Sequence, residues 1–241
     1  MAFNGIKFDT SVPGMVPWEI VTIYFIVGLA VVFYFARRFG LKSFTTIDLV
    51  YIAVGAAFSV VWEFYIGSFI GRFLPSTPFI GVGFWGRMFI LLIVAALVRK
   101  PGTGILSLLI FNILSDLFFY GFGGEPMYTI YEALTYGLFL DLVIVASRGK
   151  LFGIGYKSSN GSSVATKTVV GLAILEGIII GILFAIPDPI FYLGFFRPLI
   201  SGAIVNWATI QFDFLAFIPG HVVIGILGTL AGQRIAKAVG Q

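Results

Sequence analysis

Glu63, Asp116 and Glu132 are three carboxylates set inside or near the ends of long apolar runs, in a 241-residue chain that is 59% hydrophobic. A charge in hydrocarbon costs several kcal/mol, so such residues face an internal cavity or a partner. Their neighbours sharpen the pattern. Asn112 and Asp116 are four apart and share one helix face. Tyr128, Glu132 and Tyr136 repeat the spacing, with Tyr131 and Thr135 beside them, and Ser59 and Glu63 do the same next to Trp62 and Tyr65. Rings beside carboxylates suit a flat, nitrogen-rich or cationic ligand, held by stacking, cation–π attraction and charge-assisted hydrogen bonds. The same residues also fit an interfacial aromatic belt, with the acids paired to Arg72 or Arg87 to hold helices together. Both readings stand at this point. Glu176 and Asp141 are further intramembrane acids, each either a proton site or a bond to a neighbouring helix, and the single histidine, His221, reads as a hydrogen-bonded structural group.

The elements that carry these residues are legible from composition. Mean hydropathy is +1.04, 27 residues are Phe and only 11% are charged. Several runs reach the roughly 20 apolar residues that cross a hydrocarbon core about 30 Å thick. This predicts an all-α integral membrane protein with no soluble domain; the longest polar stretch is 156–167. Seven spans are expected, at 18–36, 46–70, 80–98, 103–120, 127–146, 168–186 and 217–236. Pro187-Asp188-Pro189 is expected to close the sixth. The apolar segment 191–214 carries Arg197, Pro198, Asn206, Gln211 and Asp213, and reads as an outer-face helix and loop or as an extra span. Charge decides for seven. Arg37, Arg38, Lys42, Arg99, Lys100, Arg148, Lys150, Lys157, Lys167, Arg234 and Lys237 then share one side, against Lys7, Arg72, Arg87 and Arg197 on or toward the other. The positive-inside rule puts the N-terminus outside and the C-terminus in the cytoplasm, which places Glu63, Asp116 and Glu132 together toward the exterior. The first residues show no basic leader or small-residue cleavage site, so no cleaved signal peptide is expected.

Several function classes lack their residues. Without cysteine there is no disulfide framework and no thiolate metal or redox site. No HExxH, GxSxG or paired histidine occurs, and Gly153-Ile-Gly-Tyr-Lys157-Ser158 misses the spacing of a phosphate loop. No enzyme, cofactor, metal or nucleic-acid role is expected, and ATP hydrolysis would fall to separate subunits. Small residues form a last pattern. Ala53 and Ala57 lie four apart around Gly55 and Ala56, fit for packing within the chain or against a partner, and Gly220, Gly225, Gly228 and Gly232 suit packing within the chain.

Three stretches carry a family resemblance. Leu49-Val-Tyr-Ile-Ala-Val-Gly-Ala-Ala57 resembles the first core helix of substrate-binding S components of energy-coupling factor (ECF) vitamin transporters, with that family's Ala-x-x-x-Ala contact at Ala53 and Ala57. Ala95-Ala-Leu-Val-Arg-Lys-Pro-Gly-Thr-Gly104 is similar to the Arg-Lys-Pro-Gly turn of the branch for thiamine and its hydroxymethylpyrimidine precursor. Pro219-Gly-His-Val-Val-Ile-Gly-Ile-Leu-Gly228 resembles the final glycine-rich helix. The likeness spans about 45–241, and residues 1–44 form a tail and an added transmembrane helix outside that six-helix core. The resemblance implies a subunit in the cell membrane that captures a vitamin from outside at high affinity. It would dock through Ala53 and Ala57 on a membrane coupling subunit that joins two ATPases, and topple to release ligand inward. On this reading Glu63, Asp116 and Glu132 give charge and polar contacts. Trp62, Trp85, Tyr128, Tyr131 and Trp207 stack, Asn112 and Asn206 hydrogen-bond, and the loop 73–79 is the lid. The alternatives are a proton- or ion-coupled transporter or channel, with Glu176, Asp141 and Asp116 as the path, and a non-catalytic subunit of a larger membrane complex whose acids join helices.

Overall fold

Inside a bilayer the backbone finds no water, and a helix satisfies its N–H and C=O groups within one segment. The computed structural model describes residues 8–41, 43–120, 126–156 and 166–240, and among these there are helices and turns but no strands. Among the described residues seven apolar helices form: α1 (Trp18–Arg38), α2 (Thr46–Gly71), α3 (Val82–Val98), α4 (Thr103–Tyr120), α5 (Met127–Ala146), α6 (Lys167–Ser201) and α7 (Trp207–Ala238). Six are long and apolar enough to cross a membrane, and α3 is shorter at 17 residues. The chain is a multi-pass membrane protein. Lys7, Lys42, Lys157, Ser158 and most of the polar stretch 156–167 lie outside the described residues.

Helix ends follow their local chemistry. Thr45 and Asp48 make a reciprocal cap at the start of α2: the Thr45 N–H donates to Asp48 Oδ2 at 2.6 Å and the Asp48 N–H to Thr45 Oγ1 at 3.4 Å. Asp48 also pairs with Lys100. The Arg-Lys-Pro-Gly turn stops α3, with Arg99 in the left-handed region at φ 50°, Pro101 unable to extend the helix and Gly102 at φ 91°.

Two boundaries differ from the expected ones. The Pro-Asp-Pro triplet does not end α6. The helix turns at Ala185–Ile186 and resumes as a π-helical segment, Pro187–Phe196, then runs on through Arg197–Ser201. Proline lacks an N–H, which is unpaired in any case in a first helical turn, so both prolines are tolerated where the helix restarts. The last helix begins ten residues before the expected Phe217, at Trp207, because Asn206 caps it. The segment 191–214 is therefore the distal part of α6, a short connection and the first turns of α7. At 1.5 Å per residue the 32 residues of α7 extend about 48 Å, beyond a core of about 30 Å.

Close pairs fix the direction of each helix. Gly177 faces Gly225 and Gly181 faces Val222, so α6 and α7 are antiparallel, and a Cβ at Gly177 would sit 2.8 Å from the Gly225 backbone. Gly228 meets Leu92 and Gly232 meets Ala96, which sets α7 parallel to α3. The glycine run thus packs within the chain, against α3 and α6. Gly28 takes Leu138 against it, and Tyr24 meets Phe139, joining α1 to α5. In α2, Gly55 and Ala56 are buried, Gly55 facing Val94 of α3, while Ala53 and Ala57 are exposed on the opposite face.

The bundle has chemically distinct ends. At one, the Arg148 guanidinium lies 4.9 Å from the Phe39 ring, and Gln233 donates to the carbonyls of Phe152 at 2.5 Å and Val169 at 3.1 Å. This end gathers Arg37, Arg38, Arg99, Lys100, Arg148 and Lys150. At the other, residues before α1 strap the α6–α7 junction: the Asp9 N–H donates to Leu199, the Val16 N–H to Gly194 and Trp207 Nε1 to Gly14, each at 2.9 Å.

Candidate functional site

Two of the three predicted acids, Glu63 and Glu132, converge on a residue that the sequence offered only as one possible partner. Arg87, on α3 and 5% exposed, points into the bundle from the end opposite the basic loops. Its Nη1 donates to both oxygens of Glu132 on α5, at 2.7 and 2.8 Å, and its Nε lies 2.9 Å from Glu63 Oε2 on α2. The Nε–H does not point at that oxygen, which is left buried in an ion pair but without a hydrogen bond. Asn112 of α4 donates to Glu132 Oε2 at 2.8 Å and to the Leu108 carbonyl at 2.9 Å. The guanidinium carbon lies 4.6 Å from the ring centre of Phe111 and 5.0 Å from that of Phe84. A buried cation held by two carboxylates and two rings ties α2, α3, α4 and α5 together at one depth.

Beside this cluster lies a cavity of about 360 Å³. Glu63, Arg87 and Glu132 form one wall. Tyr128, Tyr131, Tyr136, Phe84, Trp85 and Phe217 supply rings, Asp188 and His221 supply further polar groups, and the loop Thr77–Gly81 covers one side. Of the residues singled out in the sequence, Glu63, Glu132, Trp85, Tyr128 and Tyr131 line this space, as do Thr77, Pro78 and Phe79 of the loop 73–79. Asn112 sits one bond behind, through Glu132.

The others are placed elsewhere. Trp62 donates to the Val82 carbonyl at 3.0 Å and packs on Gly86, a contact that only a glycine leaves room for. Asp116 opens a π-helical segment at the end of α4 and is half-buried outside the cavity lining. Asn206 is a helix cap, accepting from the N–H groups of Ala208 at 3.1 Å and Thr209 at 3.3 Å. Trp207 anchors the Gly14 carbonyl and is 43% exposed. The two remaining acids meet backbone amides. Asp141 is fully buried and accepts from the N–H groups of Gly104 at 2.9 Å and Ile105 at 3.0 Å, capping α4 from a neighbouring helix. Glu176 accepts from the Phe152 N–H.

Sequence reasoning missed Asp188 and His221 as lining residues. Asp188 was hidden by reading Pro-Asp-Pro as a stop. His221 lies in the middle of α7, buried, with its ring 4.7 Å from Phe84 and 5.5 Å from Phe217. A second regularity had no sequence signal. Four π-helical segments, Val61–Gly67, Asp116–Tyr120, Ala133–Gly137 and Pro187–Phe196, contain or directly follow Glu63, Asp116, Glu132 and Asp188. Such turns widen a helix locally and recur at functional sites. The wall chemistry suits a small molecule with flat rings and a positive charge, since Arg87 is shared between Glu63 and Glu132 and Asp188 remains. No family model, curated protein or solved structure matches the chain.

Proposed function

We propose that this chain is the substrate-binding S component of an ECF-type importer, taking thiamine, its pyrimidine precursor or a related vitamin. The observation that carries the reading is the 360 Å³ cavity walled by aromatic rings and carboxylates at the end of the bundle away from the basic loops. That volume falls in the range of about 300–1,000 Å³ usual for small-molecule sites. The positive-inside rule then puts the cavity and the N-terminus outside and the C-terminus in the cytoplasm. The loop over the cavity acts as its lid, and α1 is an addition to a six-helix core. Ala53 and Ala57, exposed side by side on α2, suit close approach by a helix of a membrane coupling subunit, with ATP hydrolysed on two further subunits.

Calorimetric titration of the purified full chain with thiamine, hydroxymethylpyrimidine and riboflavin tests the proposal. Tight 1:1 binding of one of them is expected, weakened by Trp85→Ala. No binding of any of the three to a folded sample would overturn it.

A further inference from the structure

Which carboxylate meets the ligand's charge is a separate question from where the ligand sits. Glu63 and Glu132 already share the Arg87 guanidinium, at 2.9 and 2.7 Å. Asp188, at the restart of α6, lines the same cavity and has no hydrogen-bond or ion-pair partner among the described residues. The charges that act on it are Asp213 and Glu132, both acidic, and Arg87, which is shared already. Formal charge in the lining therefore runs to three acids, Glu63, Glu132 and Asp188, against one base, Arg87. Asp188 is half-buried in the cavity lining, and a cation bound there would give its carboxylate the partner it lacks.

A second, independent observation points the same way. His221 and Tyr131 line the cavity, and their Nδ1 and hydroxyl atoms, on residues 5% and 3% exposed, make no hydrogen bond of good geometry among the described residues, although the Phe184 backbone and the Tyr136 side chain lie close to them. Buried polar atoms of native proteins are nearly always bonded, so two such atoms on residues that line the same cavity as an unpaired acid favour a place where something polar binds.

Resting on the reading of the cavity as a vitamin site, we infer that Asp188 is the counter-ion of a cationic ligand. Tyr131 and Tyr128 face the positive group with their rings, and His221 Nδ1 hydrogen-bonds the ligand. The Arg87 cluster forms another part of the same lining and leaves the ligand's charge to Asp188. The ligand class is a compact organic cation with delocalised or quaternary nitrogen, which aromatic faces bind well.

The full chain in detergent is titrated calorimetrically with thiamine, which is cationic, with hydroxymethylpyrimidine, which is neutral, and with tetramethylammonium as a minimal cation. Asp188→Asn and Asp188→Ser are made in parallel, with thermal melting as the check on folding. Loss of a charge-assisted contact is expected to weaken thiamine about 10- to 100-fold in a variant that still melts as wild type. Hydroxymethylpyrimidine is expected to change by less than about twofold, because its binding lacks the charge that Asp188 meets. If both variants bind thiamine as wild type does, the Asp188 assignment is wrong while the vitamin site survives. If the wild-type chain binds hydroxymethylpyrimidine but neither cation, the cation inference fails and the vitamin site again stands. If it binds none of the three probes, the cation inference falls, and the vitamin reading falls with it when riboflavin also fails to bind.

Discussion

Replacing Arg87 with methionine removes the base shared by a buried acid, Glu132, and a half-buried one, Glu63. The guanidinium contacts Glu132 at 2.7 Å and Glu63 at 2.9 Å, with side-chain exposures of 7% for Arg87, 10% for Glu132 and 22% for Glu63. Removing one partner of a buried ion pair costs about 3–5 kcal/mol, because the charge left behind has neither water nor partner. For a chain of this length each kcal/mol moves the melting temperature by about 2–4 °C, so Arg87→Met is expected to lower it by about 6–20 °C. Exposure orders the single acid variants. Glu132→Gln should cost more than Glu63→Gln, since Glu63 is the more solvated and lacks a hydrogen bond to the guanidinium. The triple variant Arg87→Met, Glu63→Gln, Glu132→Gln removes all three charges and leaves Asn112 an amide oxygen to donate to. It should recover to within about 1 kcal/mol of wild type. Intrinsic-fluorescence melting in one detergent reads all of these. A shift under about 2 °C for Arg87→Met, or a triple variant no better than the single one, would refute the view that these charges balance one another.

Other expectations follow from packing and capping. Gly104→Ala places a methyl against the Gly137 backbone, 3.0 Å from its carbonyl carbon, and should cost about 1–3 kcal/mol, whereas Gly171→Ala enters open space and should gain up to about 1 kcal/mol; parallel melts of the two variants compare them. Asp141→Ala strips the buried amides of Gly104 and Ile105 of their acceptor and should cost about 1–3 kcal/mol per amide by the same assay, with vitamin titrations unchanged in any protein that stays folded. Trp at both Ala53 and Ala57 adds bulk to an exposed face, so melting and ligand affinity should hold while uptake by cells carrying the whole importer is lost; normal uptake would remove that face from the docking surface.

The sequence made the spans visible and the partners much less so. Apolar length and basic clusters located seven helices and gathered most of the basic residues at one end, because both signals are local. Arg87 was visible only as one of two possible partners for the acids. It lies 24 residues from Glu63 and 45 from Glu132, and no spacing rule links three helices that meet only when folded. Asn206 shows the opposite error. Its position just before Trp207 is an ordinary capping signal, but with the helix start expected at Phe217 it read as a ligand contact. Asp188 was lost the same way, because prolines that restart a helix look in sequence like prolines that end one.

The π-helical turns carry a consequence for reading any pattern along these helices. Each such turn holds an extra residue, and one residue is about 100° of rotation on an α-helix. The phase of the wheel therefore resets at the acids. A stripe that faces lipid below Glu63 is not continued by the same spacing above it, and the same holds across Ala133–Gly137 in α5. A helical wheel drawn through a whole span superimposes two different orientations. Each half has to be plotted from its own side of the joint.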